Sequence, residues 1–138
     1  MRKIKYIFID SDCQNDDNQS GRRAVSLFRH HFTITKEGIV LNPIDISQTV
    51  NLIEGPIYDS DKYNRCAISI HYCGSLEPGT LNSELRAKLI RLLVELRSRF
   101  PDAKILGVSE LDGKELYSKN IIVSDSMNVL RRELSDYP

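Results

Sequence analysis

The sequence predicts an α/β domain on three observations. Ile4 to Ile9 is a near-continuous apolar run, the pattern of a strand buried on both faces. Cys66 to Tyr72, CAISIHY, repeats that signal in mid-chain and is ended by Gly74. Between Thr80 and Pro101 the apolar residues fall at helical spacing instead, and a further strand, Lys104 to Val108, follows. Strands interleaved with helices define the class.

In chain order, the run from Ile4 to Ile9 is expected to be a central strand. The polar stretch from Asp10 to Gly21 reads as surface loop, and Ala24, Leu27 and Phe28 give Arg22 to His30 the spacing of a short helix. His31 to Thr35 and Ile39 to Leu41 read as two strands joined by a tight turn in which Gly38 supplies a positive φ. Pro43 to Asn64 mixes short apolar pieces with polar residues, Gly55 and Pro56, as a long irregular connection able to wall a site. The strand at Cys66 to Tyr72 is expected to be central as well.

The long helix has the plainest signature. Thr80 suits an N-cap, and Leu85, Leu89, Leu92, Leu93 and Leu96 make one apolar stripe. Glu84 stands four residues before Lys88 on the outside, and Pro101 closes the run. After a charged loop, Ser126 to Leu134 reads as a terminal helix.

At 138 residues, with no repeat, low-complexity tract or linker, the chain reads as a single domain spanning 1–138. Lys+Arg and Asp+Glu both count 19, so the blanket basicity of a nucleic-acid or anionic-membrane binder is missing. The basic start is interrupted by Asp10 well short of a signal-peptide core, and no stretch reaches membrane-spanning length. Cys13, Cys66 and Cys73 lack CxxC spacing and fit reduced thiols. A cytoplasmic protein without nucleic-acid or membrane partners is the expectation.

Four segments taken together carry a resemblance: YIFID, HHFTITKEGIV, YNRCAISIHYCG and LRAKLIRLLVELRSRFPDAKILG. In that order they resemble zinc-dependent N-acetylmuramoyl-L-alanine amidases of the phage-lysozyme and peptidoglycan-recognition-protein type. The resemblance covers nearly the whole chain, and RLLVELRSRFPDAKILG is its most specific part. It implies a central mixed β-sheet flanked by helices.

In that family one zinc is held by a His at the end of the first strand, a second His after the strand that follows the long helix, and a late Cys or acidic residue. Three protein ligands leave a fourth position for a water whose pKa the zinc lowers, which makes the hydroxide that attacks an amide. On this sequence the three positions fall on Asp10, Val108 and Ser124. Valine has no donor atom, and a serine hydroxyl is not deprotonated at neutral pH. The family's amide-polarising tyrosine corresponds to His30, with His31 matching the His that follows it, and the basic residue before the third ligand has no counterpart near Ile122. Tyr63 and Asn64 match a pair that borders the peptide groove. With three histidines, none beyond His71, no realignment restores the family's ligands.

The resemblance therefore implies an amidase-like domain without a catalytic zinc, not acting as an enzyme, that binds a peptidoglycan stem peptide or a protein partner. His30, His31, Tyr63 and Asn64 are its candidate ligand-binding residues; no metal or other cofactor is expected, and a phage origin would release the protein on lysis. One alternative is an active amidase that cleaves the muramoyl-L-alanine amide with an atypical metal site built from Asp10, His30 or His31 and an acidic residue such as Asp125. Another is a magnesium-dependent phosphatase of the haloacid-dehalogenase type, with Asp10 as nucleophile, Asp12 as acid/base and Asp125 as metal ligand. Taken by themselves, His71 reads as a satisfied sheet histidine outside the site, the acidic loop with Asp12, Asp16 and Asp17 as solvated, and Cys13 as a thiol without a base.

Overall fold

A computed structural model describes residues 2–11, 30–50, 63–74, 83–107 and 120–136, the side chains of the last segment from Ser126 onward. Its elements are β1 (Tyr6–Ser11), β2 (Phe32–Ile34), β3 (Val40–Leu41), β4 (Ala67–Tyr72), α1 (Ser83–Arg99), β5 (Lys104–Gly107) and α2 (Asn120–Ser135). The strands form one mixed sheet in the order β3-β2-β4-β1-β5; β3 alone is antiparallel to its neighbour. Both strands expected to be central are interior, with β4 between β2 and β1 and β1 between β4 and β5.

Strand alternation assigns each residue to a side of this sheet. Ile7 and Ile9 of β1, Ile68, Ile70 and Tyr72 of β4, and Phe32 and Ile34 of β2 belong to the main core. The leucine stripe of α1 and Met127, Leu130 and Leu134 of α2 complete that core, so both described helices cover the same side. The opposite side carries Tyr6, Phe8 and Asp10 beside Ala67, Ser69 and His71, in the register Tyr6 to Ala67, Phe8 to Ser69 and Asp10 to His71. Its apolar part is a small cluster of Phe8, Val50, Tyr63 and Ala67.

Helix α1 runs from Ser83 to Arg99, inside the expected limits, with Leu85, Leu89, Leu92, Leu93 and Leu96 all buried. Thr80, its expected cap, lies outside the described residues. Arg side chains tie the helices to their surroundings. Arg86 donates to Glu133 of α2 at 2.9 Å, Arg97 to the Leu134 carbonyl at 2.8 Å, and Arg131 to the Ile105 carbonyl of β5 at 2.9 Å.

The hairpin forms with Gly38 at φ +86°, as its turn requires. Helix α2 corrects the sequence expectation: it begins at Asn120, not Ser126, so Ser124 and Asp125 sit on a helix rather than in a loop. Ile121, Ile122 and Val123 are β-branched and read locally as non-helical, but a helix anchored by Met127, Leu130 and Leu134 propagates backward at little cost per residue. The expected loop from Asp10 and helix from Arg22 fall largely outside the described residues, as does 51–62 of the long connection. No described helix is long and apolar enough to cross a membrane.

Candidate functional site

The polar residues on the side opposite α1 and α2 gather at the C-terminal ends of β1 and β4. Parallel register puts Asp10 beside His71, and His30 enters from the residues just before β2. His30 and His71 are buried, at 3% and 4% exposure, while the Asp10 side chain remains 34% exposed and opens the group to solvent. The two imidazole rings lie 5.1 Å apart between centroids, and His30 Nε2 is 3.8 Å from Asp10 Oδ2. The other ring nitrogen, His30 Nδ1, is hydrogen-bonded to Ser69 Oγ at 2.5 Å. One ligand atom from each of Asp10, His30 and His71 lies within 4.8 Å of the other two.

No protein-family model matches the chain, and no curated protein matches it. The zinc set implied by the resemblance does not fit: Asp10 offers an oxygen, Val108 offers nothing and Ser124 only a neutral hydroxyl. Val108 lies outside the described residues; Gly107 before it pairs with Ile9, the neighbour of Asp10. Ser124 is within α2, its side chain outside the described set. Asp12, Cys13, Asp16 and Asp17 are likewise outside it.

His31 does different work from His30. It is fully buried and its ring spans two backbone groups: Nδ1 accepts from the Ser69 N–H at 3.0 Å, and Nε2 faces the Gln48 carbonyl at 2.6 Å. An acceptor at Nδ1 requires the proton on Nε2, so Nε2–H donates to Gln48 and the ring is neutral. Arg2 Nη2 at 3.3 Å from Nε2 then presents a second donor, not a bond, and opposes protonation of the ring. Both ring nitrogens are committed to holding β4 and the residues after β3 together, so neither is left to meet a ligand.

Burial is the largest cause lowering the His31 pKa; the bond to Gln48 opposes it, Arg2 adds to the lowering and Asp45 counters it. The unfolded chain thus takes up the proton more readily than the folded one. The stability this residue confers is full above about pH 6.5, the ordinary histidine value, and is lost as pH falls below it. In an NMR titration the His31 Hε1 signal is expected to move with a midpoint below the ordinary value, and the urea midpoint to fall from neutral to mildly acid pH. A His31 midpoint at or above the ordinary value contradicts this geometry.

Tyr63 and Asn64 sit in a helical turn just before β4 and are both buried. The Tyr63 ring packs 5.4 Å from Tyr6 and 5.9 Å from Phe8, while Tyr6 and Phe8 stack at 5.5 Å. This aromatic trio occupies the N-terminal part of the same sheet side, with Phe8 and Tyr63 buried and Tyr6 partly buried. Of the candidate residues, the structure brings Asp10 and His30 together and sets His31, Tyr63 and Asn64 into the surrounding framework. It adds two residues that sequence reasoning left out, His71 and Ser69. Their signal was the alternation within AISIHY, which puts Ser69 and His71 on one face two residues apart.

Proposed function

We propose that this chain is an amidase-type α/β domain that binds a stem peptide of the peptidoglycan kind without cleaving it. The observation that carries this reading is the Asp10 carboxylate, one-third exposed at 34%, at the mouth of a buried polar group. A carboxylate there can accept from peptide N–H groups or a ligand ammonium. Loss of hydrolysis follows from the donor chemistry at the family's ligand positions, where only Asp10 remains competent. A cytoplasmic setting belongs to the same proposal and fits Cys66 and Cys73, both present as thiols.

A second reading, an amidase with a different metal set, is favoured by one observation, the mutual approach of Asp10, His30 and His71. Titration of the protein with muramyl peptides, followed by NMR, separates the two. Binding with shifts centred on Asp10 and His30, and no amide cleavage when zinc is supplied, is the expected result. Silence at millimolar peptide removes the peptide ligand and leaves a protein partner as the proposed role. Release of L-alanyl peptide from the muramoyl group, lost in Asp10→Asn, favours the second reading instead.

A further inference from the structure

We infer that Asp10, His30 and His71 form a binding site for a single first-row divalent transition metal of the zinc class. Two of these three residues stand where the resemblance has no metal ligand, so the site is not the family's zinc site displaced by alignment. The inference rests on the site of the functional reading and assigns its Asp10 carboxylate to a metal; the test below separates the metal from the peptide.

The donor set selects the ion. Two imidazoles and one carboxylate suit Zn²⁺, Co²⁺ or Ni²⁺, whereas Mg²⁺ and Ca²⁺ favour all-oxygen shells. Two histidines with one acidic residue and an open fourth position is a recurrent zinc arrangement. Charge agrees with chemistry: the carboxylate beside two imidazoles offers a dication a partial counter-charge, and solvent access past Asp10 supplies water for the open position.

The geometry is close to what binding needs. At metal–ligand distances near 2.1 Å a tetrahedral ion holds its ligand atoms about 3.4 Å apart. His30 Nε2 and Asp10 Oδ2 are at 3.8 Å, too long for a direct hydrogen bond and short enough for an ion to bridge. All three ligand atoms lie within 4.8 Å of one another, a span that rotation of the Asp10 carboxylate and small ring tilts can close.

The surroundings fix which atom binds. The Ser69 hydroxyl at His30 Nδ1 can take the Nδ1–H and leave the Nε2 lone pair aimed at Asp10, the outer-shell arrangement that orients ligating histidines. The strand register fixes Asp10 beside His71, so two of the three ligands are set by the backbone of adjacent interior strands. His31, with both nitrogens on backbone groups, does not compete.

The test uses the full chain stripped with EDTA and titrated with Co²⁺, then with Zn²⁺ in competition. Uptake of one equivalent, a visible d–d spectrum of tetrahedral or five-coordinate type, and full displacement by Zn²⁺ are expected. Asp10→Asn and His71→Gln should each abolish the spectrum at protein concentrations that saturate the parent. Ser69→Ala, which removes only the orienting hydroxyl, should weaken binding by about 10- to 100-fold. Should a ligand variant fail to fold, the parent protein still decides: Zn²⁺ must perturb the ring signals of His30 and His71 and leave the bonding pattern of His31 in place. No uptake at one equivalent, an intense near-ultraviolet thiolate band in the Co²⁺ form, or unchanged affinity in both ligand variants would overturn the site. Peptide binding by the metal-free protein together with no metal uptake removes the metal and spares the peptide reading; metal uptake without peptide binding does the reverse.

Discussion

Leu93→Ala is expected to lower the unfolding free energy by about 3–4 kcal/mol. Leu93 has no exposed surface and lies in the leucine stripe of α1, within the core that joins α1, α2 and the helix-covered face of the sheet. Deleting its branched end removes apolar area from the core and leaves a cavity that a close-packed interior cannot fully collapse. That loss is a large share of the stability a domain of this size holds, about 5–15 kcal/mol. The exposed Leu41 of edge strand β3, 37% accessible, serves as the comparison. Leu41→Ala should shift the urea midpoint little, because its side chain already meets water in the folded state. Equal shifts in the two variants, at equal m, would show that the stripe is not the core. Because Leu93 lies on the opposite side of the sheet from Asp10, His30 and His71, the folded fraction of Leu93→Ala should keep its metal uptake.

The same division of the sheet into two sides explains what could be read from the amino-acid order. Runs such as Ile4 to Ile9 and Ala67 to Tyr72 declare a buried strand locally, and the leucines of α1 declare a helix and its buried face. The turn at Gly38 is equally local, since only its φ had to be supplied. The start of α2 was not legible, because a β-branched run gives a non-helical local signal and the anchor that overrides it is tertiary.

At the site the limit is of another kind. Asp10 and His30 stand out by resemblance, but His71 lies inside a strand and reads from its own segment as a satisfied sheet histidine. That it faces Asp10 depends on the register between β1 and β4, a pairing of distant segments that no local pattern encodes. His31 shows the converse: adjacent histidines look equivalent in sequence, yet one step along the chain gives them different surroundings. His30 meets the polar group, whereas His31 is taken up entirely by Ser69 and Gln48 backbone atoms.

Arg2→Ala is expected to cost about 2–3 kcal/mol and to raise the pKa of His31 at the same time. The guanidinium gathers backbone carbonyls from two separate segments. Nε and Nη2 donate to Ile46 O at 3.2 and 2.6 Å, and Nη2 also donates to Ala67 O at 3.0 Å. Nη1 donates to Arg65 O at 3.0 Å and Asn64 O at 3.3 Å. These bonds fasten the start of the chain to the entry of β4 and to the connection after β3, the framework that also holds His31. Truncation leaves part-buried carbonyls without their charged donor and withdraws the positive charge that opposes His31 protonation. Stability and titration should therefore move together: a lower urea midpoint, and a His31 Hε1 midpoint displaced upward toward the ordinary histidine value. Arg2→Lys keeps the charge but replaces the planar fork with a point donor, so it should recover the titration more fully than the stability. If Arg2→Ala loses stability while His31 titrates as before, burial alone sets that histidine's pKa and Arg2 acts only as a clamp. If Arg2→Lys restores stability in full, the multiple carbonyl bonds are not what holds the entry of β4.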